Sequence, residues 1–466
     1  MKKLILLQLI LLAALSSKAT VWHVGATQTY TMPSQVATLV ANGDTVNIDA
    51  GIYNSNVCAW TADNLLLRCI NGIAHLKSNG LSYGDKGIWV IQGKNTRVDH
   101  IEFSLCTSTS GNGAGIRQEG QNVIISNCYF HDNQNGILTN QTSPCRITIE
   151  YCEFSMNGTN DGISHNVYIG KVDTLIFRYN YSHMCKAGHE LKSRAITNYI
   201  LYNRFSNETG TTAQNIDLSN GGLAIIMGNV IQKGINSTNT RLISYGLEGL
   251  TNPAPHNFYL VNNTLINDRP SGSFLNIGSG TALYKGYNNI FAGAGSLLNG
   301  TATTLDTLQN KNYTVPSTVF ANAAAYDYHL LASVSAINTA TNAGSTSNGF
   351  ILTPVYEYMH PANRTIRTAA GLMDIGAYEY GLQTSVATEN PEKDLKIFIE
   401  NDNLTLQLTG EKYTVHIFNL EGKMIYENKN YQDSNKIPVS VLKNDIYIVN
   451  IVTANGAAIN KKIIIQ

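Results

Sequence analysis

Charge is scarce in this sequence. Only 14% of the 466 residues are charged, and Lys+Arg and Asp+Glu both number 32, so the formal net charge is zero. That balance supplies no general attraction to nucleic acid or to an anionic membrane, and no nucleic-acid partner is expected. Beyond the first twenty residues no apolar run is long enough for a membrane helix. No CxxC pair or interleaved His marks a zinc motif. Helical periodicity is missing, because alternation dominates the apolar pattern. The LxxLxLxxN pattern of a leucine-rich repeat is missing too.

What is present points to β structure. Gly (39) and Tyr (25) are plentiful and Asn is abundant, a composition suited to strands joined by tight corners. The N-terminus reads as a signal peptide over residues 1–19. Lys2 and Lys3 precede the apolar stretch Leu4 to Leu15, and Ser17-Lys18-Ala19 offers a small-x-small cleavage site. The run is short for a membrane span, and no Cys follows it to accept a lipid, so export rather than anchoring is expected. Seven cysteines are present: Cys58, Cys69, Cys106, Cys128, Cys145, Cys152 and Cys185. An exported protein can pair some, Cys58 with Cys69 or Cys145 with Cys152, and an odd total leaves at least one free. The plainer expectation is buried cysteines stacked in a β core.

The strongest signal is a loose repeat. Apolar runs ending near an Asn recur, as in Ile147–Phe154, Leu175–Tyr181, Tyr199–Phe205, Ala224–Val230, Phe258–Leu265 and Leu283–Phe291. Asn180 to Asn203 is 23 residues and Asn203 to Asn229 is 26. Shorter strands lie between, among them Gly115–Arg117, Gly136–Leu138, Asn166–Ile169, Glu190–Lys192 and Asn215–Leu218. A period of this size with two or three strands per copy is one coil of a β-solenoid, whose inward residues are buried only by stacking on neighbours. The recurrent Asn predicts an internal ladder of side-chain amides.

Gly43-Asp44-Thr45-Val46-Asn47-Ile48-Asp49-Ala50-Gly51-Ile52-Tyr53 resembles the opening of pectate-lyase-like right-handed parallel β-helix proteins, where a short helix caps the first coil. Tyr328-His329-Leu330, Ser335–Asn338 and Asp374–Tyr380 resemble the last coil of such proteins. The resemblance spans residues 20–380. It implies an all-β fold, but the superfamily includes lyases, hydrolases, esterases, epimerases and phage adhesins. A polar linker over 381–394 follows, and 395–466 reads as short alternating strands of a small β-sandwich. Val415–Lys423, Asp445–Val449 and the tail Lys461–Gln466 resemble the C-terminal sorting domain of the type IX secretion system of Bacteroidetes-type bacteria. The usual opening Pro-Asn-Pro turn is reduced to Asn390-Pro391. That resemblance implies the type IX machinery as a partner and a secreted or cell-surface location on a Gram-negative cell. A carbohydrate-binding sandwich is the rival reading of this segment.

The densest polar stretch is 161–248. Alternation places Glu190, Lys192 and Arg194 outward with Leu191 and Ser193 inward. It places Asn166, Tyr168, Asn215 and Asp217 outward as well. Counting back from the corner Asn residues stacks Ile169, Leu191 and Leu218, and gives the outward columns Tyr168–Glu190–Asp217 and Gly170–Lys192–Ser219. A Lys and an Arg beside an open groove suit β-elimination on a uronic-acid polymer, which needs a carboxylate neutralised, a proton removed and a leaving oxygen protonated. Lys192 is the candidate base, taken as exposed. Arg194 is the alternative carboxylate clamp, and Tyr168 or His189 the proton donor. His165, Asn166, Asn220, Arg241, Tyr245 and Glu248 are candidate substrate contacts, the last two on a groove-side turn. The family resemblance supports the lyase choice and implies calcium, for which Glu190 and Asp217 are the candidate ligands; no organic cofactor is expected. The same two carboxylates, stacked about 5 Å apart, also suit a retaining glycosidase. A surface ion-pair network is the plain structural alternative, and a glycan-binding adhesin the non-catalytic one. An acidic polysaccharide and a monomeric chain are expected throughout. Tyr358, His360 and Arg364 are as fit to cap the last coil as to bind substrate.

Overall fold

The computed structural model describes residues 19–381, 396–400, 403–407, 412–419, 424–432, 435–438, 440, 442, 446–452 and 458–464. The signal-peptide reading, up to Lys18, and the linker reading from Leu382 to Asp394 lie outside the described residues. The chain divides into two compact units, Met1–Leu382 and Gln383–Gln466.

The first unit is a parallel β-helix. Each complete coil has three strands, as in Val167–Ile169, Thr174–Arg178 and Tyr181–His183, followed by His189–Ser193, Thr197–Leu201 and Arg204–Ser206. First strands stack into a ten-stranded parallel sheet from Cys58–Trp60 to Ser296–Asn299. Second and third strands form one 21-stranded sheet, because the long strands Thr45–Asn54 and Leu66–Lys77 run through both faces at the N-terminal end. The family resemblance implied a capping helix there. The cap is instead a single 3₁₀ turn, Pro33–Gln35, with Val36 and Ala37 buried behind it.

Two kinds of stack hold the coils together. Phe103, Phe130 and Phe154 lie face to face, with ring centroids 4.9 and 5.0 Å apart, and Phe177 and Phe205 continue the row. Burying each ring is worth about 1.5–3 kcal/mol. The predicted amide ladder runs through Asn180, Asn203, Asn229, Asn263, Asn289 and Asn310. Each Nδ2 donates to a carbonyl one coil back, as Asn203 does to Phe177 at 2.8 Å. From Asn203 onward each Oδ1 accepts from the preceding Asn, and that of Asn180 accepts from the Cys152 N–H, so the buried amides leave little polar capacity unmet. The residue before the ladder Asn takes a left-handed conformation: Tyr179 (φ 59), Tyr202 (φ 56), Gly228 (φ 70) and Asn262 (φ 51). Gly is needed at 228, since a Cβ there would sit 2.5 Å from the Tyr202 ring. The seven cysteines are free and buried in this interior, and neither candidate pair is bonded.

Residues 319–380 do not form a last coil, as the resemblance implied. Two antiparallel hairpins, Phe320–Asn322 with Asp327–Leu330 and Tyr356–Met359 with Asn363–Ile366, belong to a strap along the outside wall. Val319, Tyr328, Tyr358, Ile375 and Tyr378 pack on Tyr181, Val230, Ile266 and Ile290. Arg364 lies over the rings of Tyr179 and Tyr356. The strap explains why Leu223–Met227 reads as a continuous apolar run: it is covered on both faces.

In the second unit, Lys396–Glu400, Asn403–Gln407 and Ile437–Pro438 form one antiparallel sheet. Tyr413–Asn419, Met424–Tyr431, Ile446–Val452 and Ala458–Ile464 form another. Leu404, Leu406, Val415, Ile417, Val449 and Ile451 make the shared core of this small β-sandwich. Among the described residues no helix is long and apolar enough to cross a membrane.

Candidate functional site

The ten-stranded sheet carries the site. Its strands pair Tyr168 with Lys192, and Lys192 with Asp217. Ser244 and Asn276 extend the column on one side, Leu138 and Arg117 on the other. The expected columns are therefore wrong. Ile169 pairs with Ser193 rather than Leu191, and Leu191 pairs with Ile216. Corner lengths differ between coils, so counting back from the Asn ladder misplaces this strand.

The slip matters most for Glu190. At the corner entering the sheet two successive residues face inward, so alternation fails. A Cβ on Gly115 or Gly136, at the same corner in earlier coils, would point at Phe130 or Phe154. Glu190 is 0% exposed, accepting from Asn215 Nδ2 at 2.9 Å and Thr212 Oγ1 at 3.4 Å. Burial pushes its carboxyl well above the usual range. Asn166 and Asn215 are interior as well; Asn166 donates to Ser182 Oγ at 3.1 Å and to the His183 carbonyl at 3.0 Å. Neither Glu190 nor Asn166 belongs to a surface site. Tyr245, expected on a groove-side turn, is core: it stacks on Phe258 and donates to the Gly222 carbonyl at 2.6 Å.

Lys192 Nζ lies 3.4 Å from Asp217 Oδ2 and 2.5 Å from Glu248 Oε1. The Lys192 side chain is only 12% exposed, so it is not the free surface lysine expected. Arg194 spends its whole fork: Nε donates to Tyr168 Oη at 2.8 Å, Nη1 to Asn220 Oδ1 at 2.7 Å, and Nη2 pairs with Glu248 Oε2 at 2.5 Å. Glu248 thus bridges the two cations, one oxygen to each. Its partial burial opposes ionisation, but Lys192 and Arg194 hold its carboxyl below the usual range. The turn after Tyr245, with Gly246 at φ 69, swings Glu248 back over the sheet.

His189 and His165 stack at 4.8 Å, and the backbone N–H of His189 donates to His165 Nδ1. Burial pushes His189 down to about 4, with Asp217 opposing and Lys192 adding to the shift. Burial likewise holds His165 well below the usual range. Both are neutral near pH 7, so His189 is a poor proton donor there. Asn220 is half-buried and donates to Thr251 Oγ1. Arg241 is exposed at the start of its strand, in the column of Gln214 and His189 rather than that of Lys192.

Beside this cluster opens a groove of about 430 Å³, lined by Asn112, Arg117, Leu138, Asn140, Tyr168 and Gly170. Tyr168 is shared between groove and cluster. Since its oxygen accepts from Arg194, its own proton is free to point into the groove. The sequence reading missed Arg117 and Asn140. They lie two and one coils before Tyr168, outside the stretch where charge density drew attention.

The calcium set implied by the resemblance does not assemble. Calcium takes six to eight oxygens, whereas Glu190 is inside the coil and Asp217 shares one oxygen among Ser219, Lys192 and His189. The glycosidase pair Glu190 and Asp217 fails for the same reason.

Residues 50–241 match the family described as right handed beta helix region, and residues 400–466 match the secretion system C-terminal sorting domain. The chain is a right-handed parallel β-helix followed by a type IX sorting domain. That tail directs the protein out of the cell, to the medium or the cell surface. A comparison with curated proteins found no match. Among solved structures, pectate lyase Pel9A is similar at 12% identity, covering 79% of this chain and 98% of that one, with a TM-score of 0.49. An alginate lyase from a Paenibacillus species is similar at 11% identity, covering 63% and 99%, with a TM-score of 0.41. A PL6 family polysaccharide lyase from Pseudopedobacter saltans is similar at 12% identity, covering 68% and 96%, with a TM-score of 0.34.

Proposed function

We propose that the protein is an exported polysaccharide lyase that cleaves a uronic-acid-containing chain by β-elimination at Lys192, Arg194 and Tyr168. The observation that carries this reading is the Glu248 carboxylate held between Lys192 and Arg194, next to Tyr168, which Arg194 contacts and which lines the groove. Two cations that grip one carboxylate will grip another, and a uronate entering the groove takes the place of Glu248. Arg194 then neutralises the substrate carboxylate, which acidifies the proton on the adjacent carbon. Lys192 as the free amine removes that proton. The carbon–oxygen bond to the leaving sugar breaks as the ring double bond forms, and Tyr168 protonates the departing oxygen. Lys192 and Tyr168 are paired on adjacent strands, about 4.8 Å apart, which suits two groups working on one sugar ring. Water is not consumed.

The test is incubation of the exported protein with a panel of uronate polymers, recording the ultraviolet absorbance of an unsaturated uronate and assaying new reducing ends. Both should rise together on one polymer. Reducing ends without the unsaturated product would mean hydrolysis, and binding with neither would mean a non-catalytic glycan-binding solenoid.

A further inference from the structure

A second cluster lies on the third-strand wall of the early coils, apart from the ten-stranded sheet. His75 ends near the close of Leu66–Lys77, Glu102 lies in Ile101–Ser104, and His131 ends Tyr129–His131. Register brings His75 opposite Glu102, and His131 opposite Ser104. Glu102 Oε1 is 3.4 Å from His75 Nδ1 and 3.0 Å from His131 Nε2, and one donor atom from each of the three lies within 4.8 Å of the others. Tetrahedral zinc with ligands at about 2.0–2.2 Å keeps its donors roughly 3.3–3.5 Å apart, so shifts on the order of 1 Å bring the three donors to ligating distance.

The outward nitrogens are the independent observation. His75 turns its other nitrogen, Nε2, to Ser104 Oγ at 2.7 Å, and His131 turns Nδ1 to Asp132 Oδ2 at 3.0 Å. Asp132 is itself held by Lys186 at 3.1 Å. A ligating His has this habit: one nitrogen aims at the ion and the other donates to a carboxylate or hydroxyl that fixes the ring. The three side chains are 18–20% exposed, enough for an ion to enter and for one position to stay open to water.

We infer that His75, Glu102 and His131 bind a divalent transition-metal ion, zinc by preference, bridging three consecutive coils and leaving a fourth coordination position open. Two imidazoles and one carboxylate favour zinc, cobalt, nickel or copper over calcium or magnesium, which want a shell of oxygens.

The test uses the untagged full chain, stripped with chelator and titrated with ZnCl₂ by calorimetry, with CaCl₂ in parallel. CoCl₂ serves as a spectroscopic probe. One zinc per chain should bind, cobalt should give the visible absorption of a four-coordinate ion, and the melting temperature should rise with zinc but not with calcium. Glu102→Gln and His131→Gln should each lose the cobalt band and the zinc shift while melting cooperatively. His183→Gln, which removes another His of this wall that pairs with Glu153, should keep both. Sub-stoichiometric zinc, or a cobalt spectrum unchanged in Glu102→Gln, would overturn the site. So would equal loss in His183→Gln.

Discussion

Glu190 and Lys192 are two residues apart on one strand and live in opposite surroundings. Glu190 faces the lumen of the solenoid. Its partners are neutral amides and hydroxyls, with Lys233 as the nearby buried cation, and burial keeps the carboxyl well above its usual range. Lys233 answers in kind: burial takes it down to about 7, against the pull of Glu190, and Nζ donates to the Ala213 carbonyl at 2.6 Å. Lys192 faces outward beside Tyr168, in contact with the carboxylates of Asp217 and Glu248. Residues of the same type thus serve different ends. Inside, the polar groups satisfy one another and set the coil; outside, they form an ion-pair cluster at the surface. A buried polar pair is weak evidence of function, and an outward cluster of charges is the better candidate for one.

The comparison breaks most sharply at Lys192→Ala. Under the lyase reading kcat falls about 10²–10⁴-fold, the range for a lost acid–base group. Because the side chain is largely covered and two carboxylates lose a partner, we expect stability to fall by about 1 kcal/mol rather than stay untouched. Steady-state kinetics and a urea melt separate the two effects.

Glu190→Ala tests the inner half. It opens a cavity and takes one of the two acceptors of Asn215 Nδ2, so unfolding free energy should drop by about 2–4 kcal/mol. Activity per folded molecule should remain. Loss of activity with intact stability would return Glu190 to the chemistry and erase the distinction between lumen and groove.

The stacked imidazoles lie at the border between the two regions, and pH reaches them. His165 and His189 are held neutral in the folded protein, with His189 at about 4, while in the unfolded chain both protonate near 6.5. The unfolded state therefore binds more protons as pH drops. Stability is complete above 6.5 and is lost as pH falls toward 4, by roughly 2–3 kcal/mol for His189 alone. Melts across that window should show the loss, and His189→Gln should flatten it. A slope unchanged in that variant would place the titration elsewhere.

The smallest effect is at Glu248→Gln. Releasing the clamp frees Lys192 and Arg194 for the substrate carboxylate, so KM should fall, by up to about fivefold, the span of an exposed ion pair. Stability should barely move. A higher KM would make Glu248 a substrate ligand rather than a stand-in for one.

The repeat, the amide ladder and the tail were legible because each rests on a pattern that recurs along the chain. Asn180, Asn203 and Asn229 mark one column by their spacing alone. In His189–Ser193 and the residue after it, alternation gives only the outward facing of Lys192 and Arg194, where side chains alternate. It fails at Glu190, one step into the corner, where two residues in a row turn inward. A turn rich in Gly reads as surface, although the Tyr245 ring belongs to the strand before it.

By itself, then, the sequence determined that the chain stacks coils, that an Asn ladder runs through them, and that the C-terminal segment is an export domain. These follow from local alternation and from a period that every coil must share to bury its face. Only the tertiary structure decided which residues of different coils meet. Corners of unequal length set the offset between strands, so the meeting of Lys192 with Asp217 and Glu248, or of His75 with Glu102 and His131, is written in no single coil. Those contacts lie tens of residues apart along the chain, and neighbouring strands only about 4.8 Å apart bring them together.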